Sequence, residues 1–236
     1  GTLKMAGSDA QVINVVAGTS LNNLVIDNTD GVTIASSDPL LVSGSLTFLN
    51  GNLNTGSSKL ILPYDAVVTA GIGIGWVNGT LERKLPALPP SPITVGFEIG
   101  DNTSYAPMQA VFRNLSGSGA GFLASTTGGN NPDIGSSGLI PGKSVARTYN
   151  LTNDGATFQN YDLTLNFQTD QYPGIADPSK FFVTQTDDGG ATWNGRVNRS
   201  QISDGVAIVA TLVPTIVSIM MEHPQQDYGD VLYPVV

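Results

Sequence analysis

Short apolar segments separated by Gly, Asn and Ser turns recur through the first third of this 236-residue chain, and that recurrence restricts the fold more than any other feature. Asn22-Asn23-Leu24-Val25-Ile26-Asp27-Asn28 returns as Gly44-Ser45-Leu46-Thr47-Phe48-Leu49-Asn50-Gly51, and again as Ser57-Ser58-Lys59-Leu60-Ile61-Leu62-Pro63. Leu24, Leu46 and Leu60 stand 22 and 14 residues apart, with Gly31-Val32-Thr33-Ile34 and Gly51-Asn52-Leu53-Asn54 as half-steps between them. A repeat of about 20 residues is the sequence mark of a β-solenoid, in which each coil buries its apolar face against its neighbours alone. Alternation at period two, broken every few residues by Gly, Asn or Asp, predicts strands with tight corners over residues 1–85. No window carries a sustained 3.6-residue stripe with caps, so very little helix is expected.

The run 71–84 reads as the last strand of this region. Pro86, Pro89, Pro90 and Pro92 follow within seven positions. So dense a set of prolines cannot sit centrally in a ladder and makes a stiff, extended connection. Beyond it, candidate strands fall at 93–99, 106–113, 121–125, 144–151, 161–167, 181–185, 206–213 and 216–221, with a Gly/Ser/Asn/Pro loop at 126–142. Strands of that length separated by turn-rich loops point to a sandwich. The expected fold class is therefore all-β: a short N-terminal β-solenoid-like stack over 1–85, a Pro-rich connection at 86–92, and a C-terminal antiparallel β-sandwich over 93–236.

Charge removes whole classes of function. Ten basic residues against 19 acidic ones give a net charge of −9. Nucleic-acid binding needs clustered Lys and Arg to displace counterions from phosphates, and no cluster occurs. An anionic membrane surface repels such a chain for the same reason. Without cysteine, disulfides, thiolate metal sites and a cysteine nucleophile are excluded. The longest apolar run, 206–221, is broken by Pro214 and reads as two buried strands, not a membrane span, so a soluble protein is expected. The first residue is Gly1, which fits removal of an upstream signal peptide and fits equally well a start chosen within a longer chain.

Candidate sites are few. Thr186-Asp187-Asp188-Gly189-Gly190-Ala191-Thr192-Trp193 has the Asp-box pattern, in which Asp188 caps a hairpin turn, Gly190 takes a positive φ and Trp193 packs beneath. Asp27-Asn28-Thr29-Asp30, Asp101-Asn102 and Asp187-Asp188 offer oxygens of the kind calcium needs, with Asp27, Asp30, Asp187 and Asp188 as the metal candidates. Asx residues make the same turns with no ion, so no metal or cofactor is assigned. The single histidine, His223, has no Gly-x-Ser-x-Gly elbow to serve, and no pair of carboxylates is aligned by spacing. Gly71-Ile72-Gly73-Ile74-Gly75 lacks the lysine and helix of a nucleotide loop. No catalytic residues are expected. Asn-x-Ser/Thr sequons occur at Asn78, Asn102, Asn114, Asn150 and Asn198.

Four elements in order carry a resemblance: Gly44-Ser45-Leu46-Thr47-Phe48-Leu49-Asn50-Gly51-Asn52-Leu53, then Val77-Asn78-Gly79-Thr80-Leu81-Glu82-Arg83, then Phe97-Glu98-Ile99-Gly100-Asp101 with Tyr105-Ala106-Pro107, then Gly189-Gly190-Ala191-Thr192-Trp193. Together they resemble the solenoid-repeat and sandwich segments of very large secreted and surface proteins of Bacteroidetes-type bacteria. The resemblance implies an adhesin, matrix or fibre protein and carries over no catalytic residue. Many such proteins end in a C-terminal sorting domain, whereas this sequence ends at Tyr233-Pro234-Val235-Val236.

The functional expectation is a secreted or cell-surface structural protein, non-catalytic, that assembles with copies of itself into a fibre, tube or surface layer. Terminal strands are the expected contacts: Thr2, Leu3 and Met5 at one end, Val231, Leu232, Val235 and Val236 at the other. The alternative is an adhesin or carbohydrate-binding module in which Trp76 and Trp193 stack on sugar rings.

Overall fold

The computed structural model describes residues 1–139, 142–171, 182–186, 191–197, 208–212 and 217–222. The fold is all-β, 52% strand and 3% helical, with solenoid-like stacking of about five turns. The first coil holds β1 (Thr2–Gly7) and β2 (Gln11–Ile13), the second β3 (Ser20–Asn28) and β4 (Val32–Ile34), the third β5 (Leu40–Asn50) and β6 (Leu53–Asn54). The fourth holds β7 (Leu60–Pro63), β8 (Val67–Thr69) and β9 (Val77–Asn78). The fifth opens with β10 (Leu81–Lys84) and closes, after β11 (Ile93–Phe97), with β12 (Ile99–Gly100). Long strands stack in parallel as one sheet, in the order β1-β3-β5-β7-β10 with β8 also on β5. The half-steps stack as a second sheet, β2-β4-β6-β9-β12.

Register explains why the repeat works. Leu3, Leu24, Leu46 and Val68 form one column, and Met5, Ile26 and Phe48 another. Leu24, Ile26, Leu46, Phe48, Val32, Leu53 and Val77 are wholly buried between the two sheets, each contributing about 1.5–3 kcal/mol through lost apolar exposure. Leu60 does not continue the Leu24–Leu46 column. It stacks on Leu40 and under Leu81, while Val68 takes the place above Leu46. The third coil runs through both columns as one strand. In the fourth a turn at Pro63, where Ala66 N–H reaches the Pro63 carbonyl at 3.1 Å, splits it in two. The run 71–84 is likewise not one strand. A Gly71–Gly75 bridge closes a loop, and β9 and β10 then belong to different sheets.

β10 is the junction. It pairs in parallel with β7 on one side and antiparallel with β14 (Gly121–Gly128) on the other. Residues 86–92 between β10 and β11 carry no strand, and Leu88 projects into solvent. From β14 the first sheet continues antiparallel through β15 (Arg147–Asp154), β20 (Val217–Glu222), β17 (Phe182–Thr186) and β18 (Asn194–Val197). A third sheet runs antiparallel as β11, β13 (Met108–Arg113), β16 (Asn160–Leu165) and β19 (Ile208–Leu212). Phe122 of β14 stacks on Phe112 of β13 with centroids 4.0 Å apart, Tyr161 stacks on Phe112, and Phe158 meets all three rings edge-on. One continuous core extends from Val15 in the first coil to Val183 in β17.

Candidate functional site

The corner where each long strand turns into its half-step carries the chemistry of the stack. Asn28, Gly51 and Gly75 pile directly on one another there. A Cβ on Gly51 would lie 1.8 Å from the Asn28 carbonyl oxygen, and one on Gly75 would lie 2.0 Å from the Gly51 carbonyl oxygen. Beside this pile runs an amide column. Asn78 Nδ2 donates to Asn54 Oδ1 and to Asn102 Oδ1, both at 2.6 Å, and the Trp76 backbone N–H donates to Asn52 Oδ1 at 3.1 Å. The Asn78 sequon therefore has its amide committed inside the stack. A groove of about 390 Å³ lies along this corner, lined by Asp30, Asn52, Asn54, Ile74, Trp76 and Asn102 together with the corner glycines. A second, of about 530 Å³, adjoins it at Asn102 and is lined by Thr103, Ser104, Thr127, Arg147, Asp170 and Gln171 among others.

The wall between the grooves is a tightly bonded turn. Asp101 Oδ1 accepts from the N–H groups of Thr103 and Ser104 at 2.8 Å and from Thr103 Oγ1 at 2.9 Å. Asp101 Oδ2 accepts from Arg147 Nη2 at 2.8 Å, and the Asp101 carbonyl accepts from Trp76 Nε1 at 2.8 Å. Gly100 is required beside it, because a Cβ would meet Trp76 Nε1 at 2.5 Å. Tyr105 packs on Trp76 with centroids 5.8 Å apart, and burial pushes its hydroxyl pKa up to about 12, with Glu98 adding to the shift. Arg147, almost wholly buried, spends its other nitrogens on Gln171 Oε1 and Thr126 Oγ1, both at 3.1 Å.

Burial acts to raise the Asp101 carboxyl, but the Thr103 and Ser104 amides and the Arg147 guanidinium outweigh it and hold it below the ordinary carboxylate value. A depressed folded-state pKa means that the stabilisation is complete above the unfolded value of 3.8 and is lost as pH falls through the folded one. Acid titration of the unfolding free energy is expected to show a loss below about pH 4 that Asp101→Asn reduces. Parallel curves for the two proteins would contradict this.

The other candidate residues fall as follows. Asp27 does not open toward an ion. Its oxygens take Lys4 Nζ at 2.7 Å and Asn50 Nδ2 at 2.7 Å, and those two hydrogen bonds hold its carboxyl below the usual range. Asp30 is exposed at the first groove. Among the described residues no group of three or more His, Cys, Asp or Glu side chains is placed to hold a metal. Trp76 is half-buried on the groove wall. Trp193, also half-buried, packs on Ile134 and Leu139 of the 126–142 loop, away from Trp76. Thr2, Leu3 and Met5 lie on β1, the outermost strand of the first sheet. Asp187, Asp188, His223, Val231, Leu232, Val235 and Val236 lie outside the described residues.

Sequence reading missed three buried charges. Arg83 donates to the carbonyls of Gly96, Pro63 and Ala66 and to Glu98 Oε2. Glu82, wholly buried, lies 2.6 Å from Lys59 Nζ and 2.5 Å from Lys84 Nζ, close ionic contacts that fall outside hydrogen-bond alignment. Arg147 is the third. Lys84 stands two residues from Glu82 on the same strand, but the other partners come from distant parts of the chain, so spacing gives no sign that these charges are buried.

The architecture defines the class: an all-β protein with a five-turn solenoid-like stack continued by antiparallel strands. No family model, curated protein or solved structure matches this chain. No helix among the described residues is long and apolar enough to cross a membrane.

Proposed function

We propose that this chain is a non-catalytic, secreted or cell-surface structural protein, a subunit that assembles with copies of itself into a fibre, tube or surface layer. The observation that carries the reading is the first coil, which no strand among the described residues covers. Among the described residues β1 pairs only with β3 and β2 only with β4, so both sheets of the stack end there in an edge with no further described strand. At the far end of the stack the first sheet differs, since β10 is covered by β14, while the second sheet ends at β12. Val12 and Val16 are 57% and 72% exposed on that coil.

Natural edges are usually blunted by charge, proline or a covering segment. β1 carries one charge, Lys4, and that ammonium is engaged by Asp27 on β3. Such an edge accepts a further strand from a second copy, and a head-to-tail contact of that kind propagates without closing. The charged groups that might have suggested chemistry, Arg83, Glu98, Arg147 and Asp101, are spent on joining coils and turns. On this reading the antiparallel half forms a β-sandwich that shields one end of the stack, and the chain is of the kind found in large surface proteins of Bacteroidetes-type bacteria.

The edge offers a selective test. Asn23 N–H bonds the Gly1 carbonyl at 3.2 Å, so by alternation the amides of Thr2, Lys4 and Ala6 face the open side. Proline at Thr2 and Ala6 removes outward donors while leaving the β1–β3 ladder intact. Wild-type protein is expected to form elongated assemblies by electron microscopy and light scattering. The Thr2→Pro/Ala6→Pro variant is expected to remain monomeric, with unfolding within about 1 kcal/mol of wild type. A wild type that stays monomeric at high concentration, or a proline variant that assembles equally well, would overturn the proposal.

A further inference from the structure

We infer that the corner groove is a binding site for a neutral saccharide chain lying along the stack. Three amides line it, and each is anchored through its carbonyl alone: Asn52 Oδ1 by the Trp76 N–H, Asn54 Oδ1 and Asn102 Oδ1 by Asn78. Their Nδ2 groups have no protein partner among the described residues. Asn54 Nδ2 is held over Gly31, 3.4 Å from where a Cβ would stand. Three oriented donors on one groove, none used by the fold, ask for acceptor oxygens.

The acceptors must also be able to donate, because the exposed carboxylate of Asp30 shares the groove and has no protein partner of its own among the described residues. A hydroxyl does both, having one donor and two acceptor pairs. A phosphate dianion cannot donate, a uronate adds to its hydroxyls a carboxylate that only accepts, and the groove lining contains no Lys, Arg or His to balance either charge. The protein's net charge of −9 disfavours anions further. Trp76 supplies the apolar part. Its indole is fixed at Nε1 by the Asp101 carbonyl and backed by Tyr105, so it faces a ligand with little entropy left to lose.

Geometry favours a chain over a single ring. Asp30 comes from the second coil, Asn52 and Asn54 from the third, Trp76 from the fourth and Asn102 from beyond the fifth. Neighbouring coils are about 4.8 Å apart, so polar groups recur along the groove as hydroxyls recur along a linear glycan. A volume of about 390 Å³ lies within the usual range of ligand sites.

The test uses the whole chain in a Trp193→Phe background, leaving Trp76 as the only indole. Neutral hexose oligosaccharides of six units, of several linkages, are titrated by fluorescence and calorimetry, with polygalacturonate as the acidic comparator. At least one neutral oligosaccharide is expected to bind and shift Trp76 emission, with the uronate binding more weakly or not at all. Asp30→Ala and Asn102→Ala are both exposed positions where thermal unfolding should be nearly unchanged. Each is expected to weaken binding by about tenfold. No binding by any neutral oligosaccharide at millimolar concentration, equal or tighter binding of the uronate, or affinity unchanged in both variants would overturn the inference. None of these outcomes bears on assembly, which reads a different edge of the molecule.

Discussion

Alanine at position 51 is expected to remove more than about 4 kcal/mol of stability, enough to unfold much of a marginally stable domain. Two effects combine. Gly51 sits at φ +79°, a conformation that costs an L-residue roughly 1–2 kcal/mol. The larger effect is steric, because the new methyl would stand 1.8 Å from the Asn28 carbonyl oxygen. That oxygen cannot retreat freely, since it accepts the Gly31 N–H at 2.9 Å in the turn of the coil below. Gly75 repeats the contact one coil higher, against the Gly51 carbonyl. Relieving either overlap means parting two coils and losing the ladder and column contacts between them.

A control in the same stack separates the two effects. Gly18 has φ +82° and nothing within 4 Å of a built Cβ. Gly18→Ala therefore reports backbone strain alone and is expected to cost about 1 kcal/mol. Urea unfolding followed by circular dichroism measures both variants, with the slope showing whether the exposed area changes. Similar losses for Gly18→Ala and Gly51→Ala would mean that φ, not coil-to-coil approach, is what the corner glycines serve.

The pile of corners also shows what the sequence could and could not disclose. Glycine and asparagine after each apolar run announce a turn, and a spacing of about 20 residues announces stacking; both are local or periodic properties. The column that Leu60 joins was not readable. Its place depends on whether a coil is one strand or two, and that is decided by a single proline turn at Pro63. Leu81-Glu82-Arg83-Lys84 falls in the run that reads as the last strand of the repeat region, and nothing in its spacing shows that Glu82 and Arg83 are both buried. Other groups close over the two faces of β10: Lys59 and Lys84 on Glu82, and Glu98 with the carbonyls of Pro63, Ala66 and Gly96 around Arg83. The groove was hidden for a related reason. Trp76 carried a visible aromatic signal, but Asp30, Asn54 and Asn102 are ordinary turn residues until the stack brings successive coils together.

Arg83 gives the second large effect. Replacement by methionine is expected to cost about 3–5 kcal/mol, the range for breaking a buried ionic network by removing one partner. The guanidinium bonds Gly96 at 2.9 Å, Pro63 and Ala66 at 3.2 Å and Glu98 at 2.7 Å, joining the fourth coil to the strands that close the fifth. Methionine fills similar volume but takes the guanidinium away from three carbonyls and a carboxylate, of which the Pro63 carbonyl keeps the Ala66 N–H. Lysine should rescue little, because one ammonium cannot reach donors' worth of partners spread around a planar fork. Adding Glu98→Gln to Arg83→Met should recover part of the loss, since it removes the unpaired charge while the carbonyls still lack the guanidinium. The decisive comparison is Arg83→Lys by urea unfolding. A loss below about 1 kcal/mol would show that charge alone suffices. A loss near that of Arg83→Met would show that the fork geometry holds the coils together, and that the arginine of the Val77-Asn78-Gly79-Thr80-Leu81-Glu82-Arg83 element serves to close the stack.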